Sequence, residues 1–101
     1  MKTTYDQLLS NCQNIVSELN DLTEETASEY LHDALDINFT IDSRGNFLGS
    51  EILVAFGGPT ISISTSSMVV EGHWGSDKIR LYYDDSGAIF EASENLYEAV
   101  R

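Results

Sequence analysis

The sequence predicts a single α+β domain over residues 1–101, with two N-terminal helices, an antiparallel meander of four to five strands and a C-terminal helix. The hydrophobic fraction of 42% is enough to form a core, and the length of 101 residues is enough for one domain but too short for two. Apolar residues recur at spacings of three and four near both ends, whereas the middle alternates with a period of two between turn residues. This order favours helices packed on one face of the meander.

Two helices are predicted in the first third of the chain. Apolar residues recur every three or four positions from Tyr5 to Leu19, which marks the buried stripe of a helix of about four turns. Thr23 is a good N-cap for the second helix, and Glu24 and Glu25 follow where the helix dipole stabilises acids. The second helix is expected to end near Asp36. Its predicted inner face is Ala27, Tyr30, Leu31, Ala34 and Leu35.

The middle of the chain predicts five short strands, at 37–41, 47–56, 60–65, 68–74 and 78–83. Turn residues separate them at 42–46, 57–59 and 75–77. A β-bulge is expected at Gly49, because an isolated glycine within a strand often marks one. The segment Asp84-Asp85-Ser86-Gly87 is expected to form a turn and a helix cap. The helical period then returns at Ile89, Ala92, Leu96, Ala99 and Val100.

The overall charge favours a basic partner. The formal net charge is −12, from 17 acids against five basic residues, and it repels nucleic acid and anionic membranes, so neither is expected to bind directly. The sequence shows no basic N-terminal segment followed by an apolar segment, so no signal peptide is predicted. No apolar stretch reaches about 18 residues, so no membrane-spanning helix is predicted either. A single cysteine, Cys12, excludes an internal disulfide and fits an intracellular, cytoplasmic protein.

The acids are concentrated at the two ends of the chain. Residues 1–42 carry nine acids against Lys2 and residues 84–101 carry five against Arg101, whereas the sheet region between them holds three residues of each sign. Acids four residues apart on a helix form a row on one face, at intervals of about 6 Å. Both terminal helical regions show this pattern. The residues predicted to bind a partner are Glu24, Glu25, Glu29, Asp33, Asp36, Glu91, Glu94 and Glu98.

Few residues are candidates for catalysis or metal binding. Cys12 lies on the apolar stripe of the first helix, where a thiol is usually a small core residue. His32 can pair with Asp36, or contribute with Asp33 and His73 to a metal site, but their spacing matches no known ligand set. Surface histidines are the favoured interpretation. We therefore expect no cofactor, no metal and no enzymatic activity.

Two segments carry a resemblance to a known class of proteins. The sequences AFGGPTI at 55–61 and VEGHW at 70–74, followed by an acidic C-terminal helix, resemble small acidic proteins of phages and mobile genetic elements, in particular anti-CRISPR proteins. The resemblance covers Phe47 to Val100. It implies a non-enzymatic inhibitor of the DNA-mimic type in the cytoplasm of a host bacterium. Such an inhibitor binds the basic nucleic-acid-binding surface of a CRISPR-Cas effector complex and blocks target DNA binding.

Other functions fit the same residues. An antirestriction, immunity or antitoxin protein that binds a basic nuclease needs the same electrostatics. A second alternative is a structural or regulatory protein that assembles with itself, for example as a homodimer. In that case the acids serve only solubility, and the acidic rows are solvated helix faces. The aromatic residues Trp74, Tyr82, Tyr83 and Tyr97 fit either a small core or an interface, and the core is favoured for Trp74.

Overall fold

Helices cover one face of a five-stranded antiparallel sheet in the computed structural model, which describes residues 3–84 and 87–101. Each strand pairs with the next one along the chain, in the order β1-β2-β3-β4-β5. This confirms the predicted α+β fold with a meander. The elements of the described residues are α1 (Thr4–Asn20), α2 (Glu24–His32), β1 (Asp36–Ile41), β2 (Phe47–Ala55), β3 (Thr60–Ser64), β4 (Val69–Trp74), β5 (Asp77–Tyr82) and α3 (Ala88–Val100).

Threonine caps define where α1 and α2 begin. The Thr3 hydroxyl accepts a hydrogen bond from the N–H of Asp6 at 3.1 Å, and the Asp6 carboxylate accepts one from the N–H of Thr3 at 3.3 Å. Thr23 and Thr26 form the same reciprocal pair at the start of α2. Each pair satisfies backbone donors that the first turn of a helix leaves without partners. The predicted start of α2, with Thr23 as its cap, is confirmed.

The second helix is shorter than predicted. It ends at His32, with Asp33 as its C-cap, and the chain enters β1 at Asp36, whose carboxylate accepts a hydrogen bond from the N–H of Ile37 at 3.0 Å. Leu35 therefore lies after the helix, and its N–H donates to the carbonyl of Leu53 at 2.8 Å. Its side chain is 61% exposed, so its predicted place on the inner face is wrong. Asp36 is likewise not part of the helical acidic row.

The strand β2 is irregular at both ends. Thr40 pairs with Gly49 and Ile41 with Phe47, which leaves Leu48 as an extra residue beside the glycine where a bulge was predicted. A Cβ atom at Gly49 would lie 2.8 Å from the Cβ of Ser66, so only glycine fits this close approach. At its other end β2 stops at Ala55. The residue after it, predicted to be in the strand, is instead an exposed turn residue, Phe56.

Asp42 holds the turn between β1 and β2. Its carboxylate accepts hydrogen bonds from the N–H of Asn46 at 2.9 Å, from the Asn46 side-chain amide at 3.0 Å and from the N–H of Arg44 at 2.8 Å. These bonds, those of Asn46 first, lower the pKa of Asp42 below its ordinary value of 3.8. This acid is therefore engaged in the fold.

The first helix lies unusually close to β4. A Cβ atom at Gly72 would lie 2.7 Å from the Sγ of Cys12 and 2.9 Å from the Cδ1 of Leu8, so the missing side chain makes room for the helix. Cys12 is fully buried, and burial raises the pKa of its thiol. The prediction that Cys12 is a core residue is confirmed.

The third helix is fixed to the sheet by buried hydroxyls and aromatic rings. The Ser50 hydroxyl donates to the Ser93 hydroxyl at 2.9 Å, and the Tyr97 hydroxyl donates to the carbonyl of Gly45 at 2.7 Å. Ring centroids between 5.2 and 6.2 Å apart link the four aromatic residues Phe39, Phe47, Phe90 and Tyr97. Gly87 is the N-cap of α3, while Asp85 and Ser86 of the predicted cap segment lie outside the described residues.

None of the described helices is long and apolar enough to cross a membrane.

The close approach at Gly72 gives a test of the fold. Gly72→Ala should lower the free energy of unfolding by about 1 to 3 kcal/mol, because the new methyl group overlaps Cys12 and Leu8. Urea denaturation of the variant and the wild type measures this difference. Gly72→Ala combined with Cys12→Ala should cost less than the sum of the two single changes, because the smaller side chain at position 12 relieves the overlap. Strict additivity would contradict this packing.

Candidate functional site

The two faces of the sheet present different side chains. Residues directly opposite one another in neighbouring antiparallel strands project to the same face. The buried residues Ile52, Ile63 and Val70 are paired in this way, so they share the face under the helices. Their sequence neighbours project to the other face. That outer face carries the pairs Glu71 with Arg80 and His73 with Lys78.

The outer sheet face is nearly balanced in charge. Asp36, Glu51 and Glu71 are its acids, and Lys78 and Arg80 are its basic residues. The Glu71 carboxylate lies 3.4 Å from the Lys78 ammonium and 3.5 Å from Nε2 of His73. Opposite charges that face each other across strands stabilise a sheet slightly. The outer face therefore carries only one more acid than basic residues and offers little net attraction to a charged partner.

The helical side of the molecule carries the excess of acids. Among the described residues, the only lysine or arginine of these helices and their caps is Arg101, whose guanidinium lies 2.9 Å from the Glu98 carboxylate. Asp6 is engaged in the cap of α1. We call the remaining acids of the helices and their C-caps the acidic helical surface, namely Glu18, Asp21, Glu24, Glu25, Glu29, Asp33, Glu91 and Glu94. In the described part of the chain, none of these eight forms an ion pair within 4.0 Å.

The predicted row on α2 is present and exposed. Glu25, Glu29 and Asp33 are four residues apart, and Asp33 continues the row because the C-cap keeps helical dihedral angles of −86° and −6°. Each like-charge pair at this spacing costs a few tenths of a kcal/mol, and Asp33 also lies at the negative end of the helix dipole. The row therefore lowers the stability of the helix that carries it.

A shallow groove between α1 and α2 brings in two acids that the sequence did not assign to the site. Glu18 and Asp21, from the end of α1, line it together with Glu29 and Asp33 of α2. Tyr30 lies among them, near Glu18. Burial, and then the Glu18 carboxylate, raises the pKa of Tyr30 well above its usual range. The approach of the two helix ends is a tertiary contact, which no spacing along the chain reveals.

The acids of α3 project away from the core. Ile89, Ser93 and Tyr97 are its buried side. Glu91 is exposed on the opposite side by helical spacing, and Glu94 lies at the flank, partly buried. Glu91 also lines a second groove of about 260 Å³, which it shares with Glu24 of α2. Glu98 is exposed, but its charge is compensated by Arg101. The third helix thus contributes fewer uncompensated acids than its sequence predicts.

The structure separates the residues considered for metal binding or catalysis. His32 is exposed at the end of α2, and His73 is on the outer sheet face beside Glu71. Asp36 lies at the start of β1, and Cys12 is a buried residue of α1. Within residues 3–84 and 87–101, no group of three His, Cys, Asp or Glu side chains has a metal-binding arrangement.

The aromatic residues divide between core and surface. Tyr83 and Tyr97 are buried, and Trp74 is half-buried against the core, in agreement with the favoured core interpretation of this tryptophan. Tyr82, in contrast, is 72% exposed on the outer sheet face. Phe56 is 76% exposed in the turn after β2. The sequence places Phe56 in a strand, so its exposure is visible only once the end of β2 is known.

Comparison of the chain with protein-family models, with curated proteins and with solved structures finds no match.

The charge row on α2 gives a test of its structural cost. Glu29→Gln should raise the free energy of unfolding by a few tenths of a kcal/mol at low salt, because it removes two like-charge contacts, with Glu25 and Asp33. The gain should shrink at high salt, where exposed charges are screened. Glu71→Gln is the matched control and should give no gain, because it removes an attraction to Lys78. A loss of stability in Glu29→Gln would show that this acid is structural.

Proposed function

We propose that the protein is a non-enzymatic inhibitor that binds the basic nucleic-acid-binding surface of a CRISPR-Cas effector complex and excludes target DNA. The observation that carries this proposal is the separation of charge between the two sides of the molecule. Eight uncompensated acids make up the acidic helical surface, whereas the outer sheet face has three acids against two basic residues. A basic channel attracts the first side and not the second.

The dimensions of the acidic surface support imitation of a nucleic acid. Adjacent phosphates of one DNA strand rise about 3.4 Å along the axis, and very roughly 6 to 7 Å separate them along the winding backbone. The carboxylates of Glu25, Glu29 and Asp33 follow one another at about 6 Å. The molecule measures 48 × 27 × 20 Å. The long axis of the molecule is therefore as long as the axial rise of about 14 successive nucleotides of one DNA strand.

The placement of the acids also argues against a purely structural role. Glu18, Asp21 and Asp33 lie near the C-terminal ends of α1 and α2, where the helix dipole disfavours negative charge. No basic residue lies in the last turn of α1. An acid that only improved solubility would serve equally well on the outer sheet face, where it would not oppose a dipole. A surface used for binding explains the observed positions.

The partner class comes from the sequence resemblance. The two segments that resemble anti-CRISPR proteins form the turn after β2, which exposes Phe56, and most of β4. An exposed aromatic side chain supplies the kind of anchor that protein interfaces favour. Charge then steers the encounter with the effector, and Phe56 contributes to the choice of partner.

Binding to purified CRISPR-Cas effector complexes tests this function. The wild type should bind one effector in competition with its target DNA. The variant Glu25→Gln/Glu29→Gln/Asp33→Asn should bind about tenfold more weakly, since three exposed contacts of about 0.5 kcal/mol each add up to about 1.5 kcal/mol. Pull-down at low and raised salt, followed by titration of the captured effector, measures both effects.

The sheet provides a control with the same change of net charge. Glu51→Gln/Glu71→Gln/Asp77→Asn also replaces two glutamates and one aspartate, but none of them belongs to the acidic helical surface. This variant should keep at least most of the wild-type affinity. Equal weakening by both variants would mean that only net charge matters. Capture of a basic nuclease in place of any effector would replace the proposed partner with an antirestriction or immunity target.

A further inference from the structure

The groove between α2 and α3 differs from the rest of the acidic helical surface because it has an apolar floor. Leu31 of α2 and Ala92 and Leu96 of α3 line it, and all three belong to or pack against the hydrophobic core. Glu24 and Glu91 line it, one from each helix, together with the polar side chains of His32 and Asn95. Small side chains, Ser28 and Ala99, keep it open. The groove therefore combines apolar surface with two carboxylates that have no ion-pair partner among the described residues.

The size of the groove limits what can enter it. Its volume of about 260 Å³ lies below the roughly 300 to 1,000 Å³ of pockets that hold drug-sized ligands. One long side chain fits this space better than a small-molecule substrate or a whole secondary-structure element. The occupant is therefore expected to be a single side chain presented by a partner.

The chemistry of the walls and floor selects a basic side chain. Arginine and lysine place their aliphatic stems against apolar surface and keep the charged head near polar groups. Leu31 and Leu96 suit such a stem, while Glu24 and Glu91 suit the head. Arginine is favoured because its planar guanidinium is less strongly hydrated and offers several donors, so it can bind two carboxylates at once.

The neighbouring groove between α1 and α2 is less suited to this role. Its walls are also acidic, but the Tyr30 side chain lies among the carboxylates. Part of this groove is thus occupied by a side chain of the fold itself. In the groove between α2 and α3, neither Glu24 nor Glu91 forms an ion pair with a described residue.

We propose that the groove between α2 and α3 is the anchor site for one arginine side chain of the basic partner. Its stem lies on Leu31, Ala92 and Leu96, and its guanidinium lies between Glu24 and Glu91. This inference rests on the proposed inhibitor function, because that function supplies a partner rich in arginine. It adds a defined anchor to an interface that otherwise depends on diffuse charge.

A titration of the full chain with short peptides tests the anchor site. An arginine homopeptide, added to methyl-labelled protein, should shift the methyl resonances of Leu31, Ala92 and Leu96. A citrulline peptide of the same length has nearly the same shape without the charge, and it should leave these resonances in place. Shifts confined to other methyl groups, or equal shifts with citrulline, would overturn the proposal.

Filling the groove separates this site from general attraction to acids. Ser28→Leu/Ala99→Leu occupies the groove from two exposed positions without changing any charge, and it should weaken arginine-peptide binding by about tenfold, as loss of a buried anchor does. The matched control is Gln13→Leu/Ser17→Leu, two exposed positions on α1 outside the groove, which should bind as the wild type does. Equal binding by the filled variant would overturn the proposal.

The same variants distinguish the anchor from the inhibitor function. If the filled variant still binds the effector and competes with DNA as the wild type does, the anchor site is wrong and the inhibitor function stands. If the wild type takes the arginine peptide into the groove but no effector is captured, the groove binds arginine and the inhibitor function is wrong.

Discussion

Apolar packing between the helices and one face of the sheet is the interaction on which the rest of the structure depends. It joins Leu8, Cys12 and Leu19 of α1 to the buried face of the sheet, at a distance that Gly72 makes short. A domain of this size is stable by about 5 to 15 kcal/mol, whereas each like-charge contact on α2 costs only a few tenths of a kcal/mol. The core can therefore support a strongly acidic exterior.

That packing also determines which side of the molecule carries most of the acidic residues. Because all three helices lie on the same face, the solvent sides of α1, α2 and α3 form one continuous layer of the molecule, and their acids belong to a single side. The meander leaves its other face open, as antiparallel sheets often do, and there the Glu71 carboxylate is paired with the Lys78 ammonium. The asymmetry of charge is thus a consequence of the layer architecture, and it is the basis of the proposed function.

Local signals in the sequence predicted the elements well where a short segment decides the structure. Thr23 marks the start of α2 because a cap depends only on neighbouring residues, and the fully buried Cys12 follows from the helical period. The end of α2 was missed because Leu35 continues the helical pattern, yet its N–H is taken by the carbonyl of Leu53. A tertiary hydrogen bond overrides local periodicity there.

The site was predicted only in part, for a related reason. The row of Glu25, Glu29 and Asp33 lies within one helical segment, so its spacing can be read from the sequence. The contributions of Glu18 and Asp21, and the groove between Glu24 and Glu91, arise where two helices meet. The compensation of Glu98 by Arg101 also depends on side-chain geometry.

The most direct test of the central claim is a hydrogen-exchange footprint of the protein, measured free and bound to the effector that captures it. The account predicts slower exchange in α2, in α3 and at the end of α1, with the strands β4 and β5 unchanged. Protection confined to β4 and β5, with α2 and α3 exchanging as in the free protein, would contradict it and would place the interface on the outer face of the sheet.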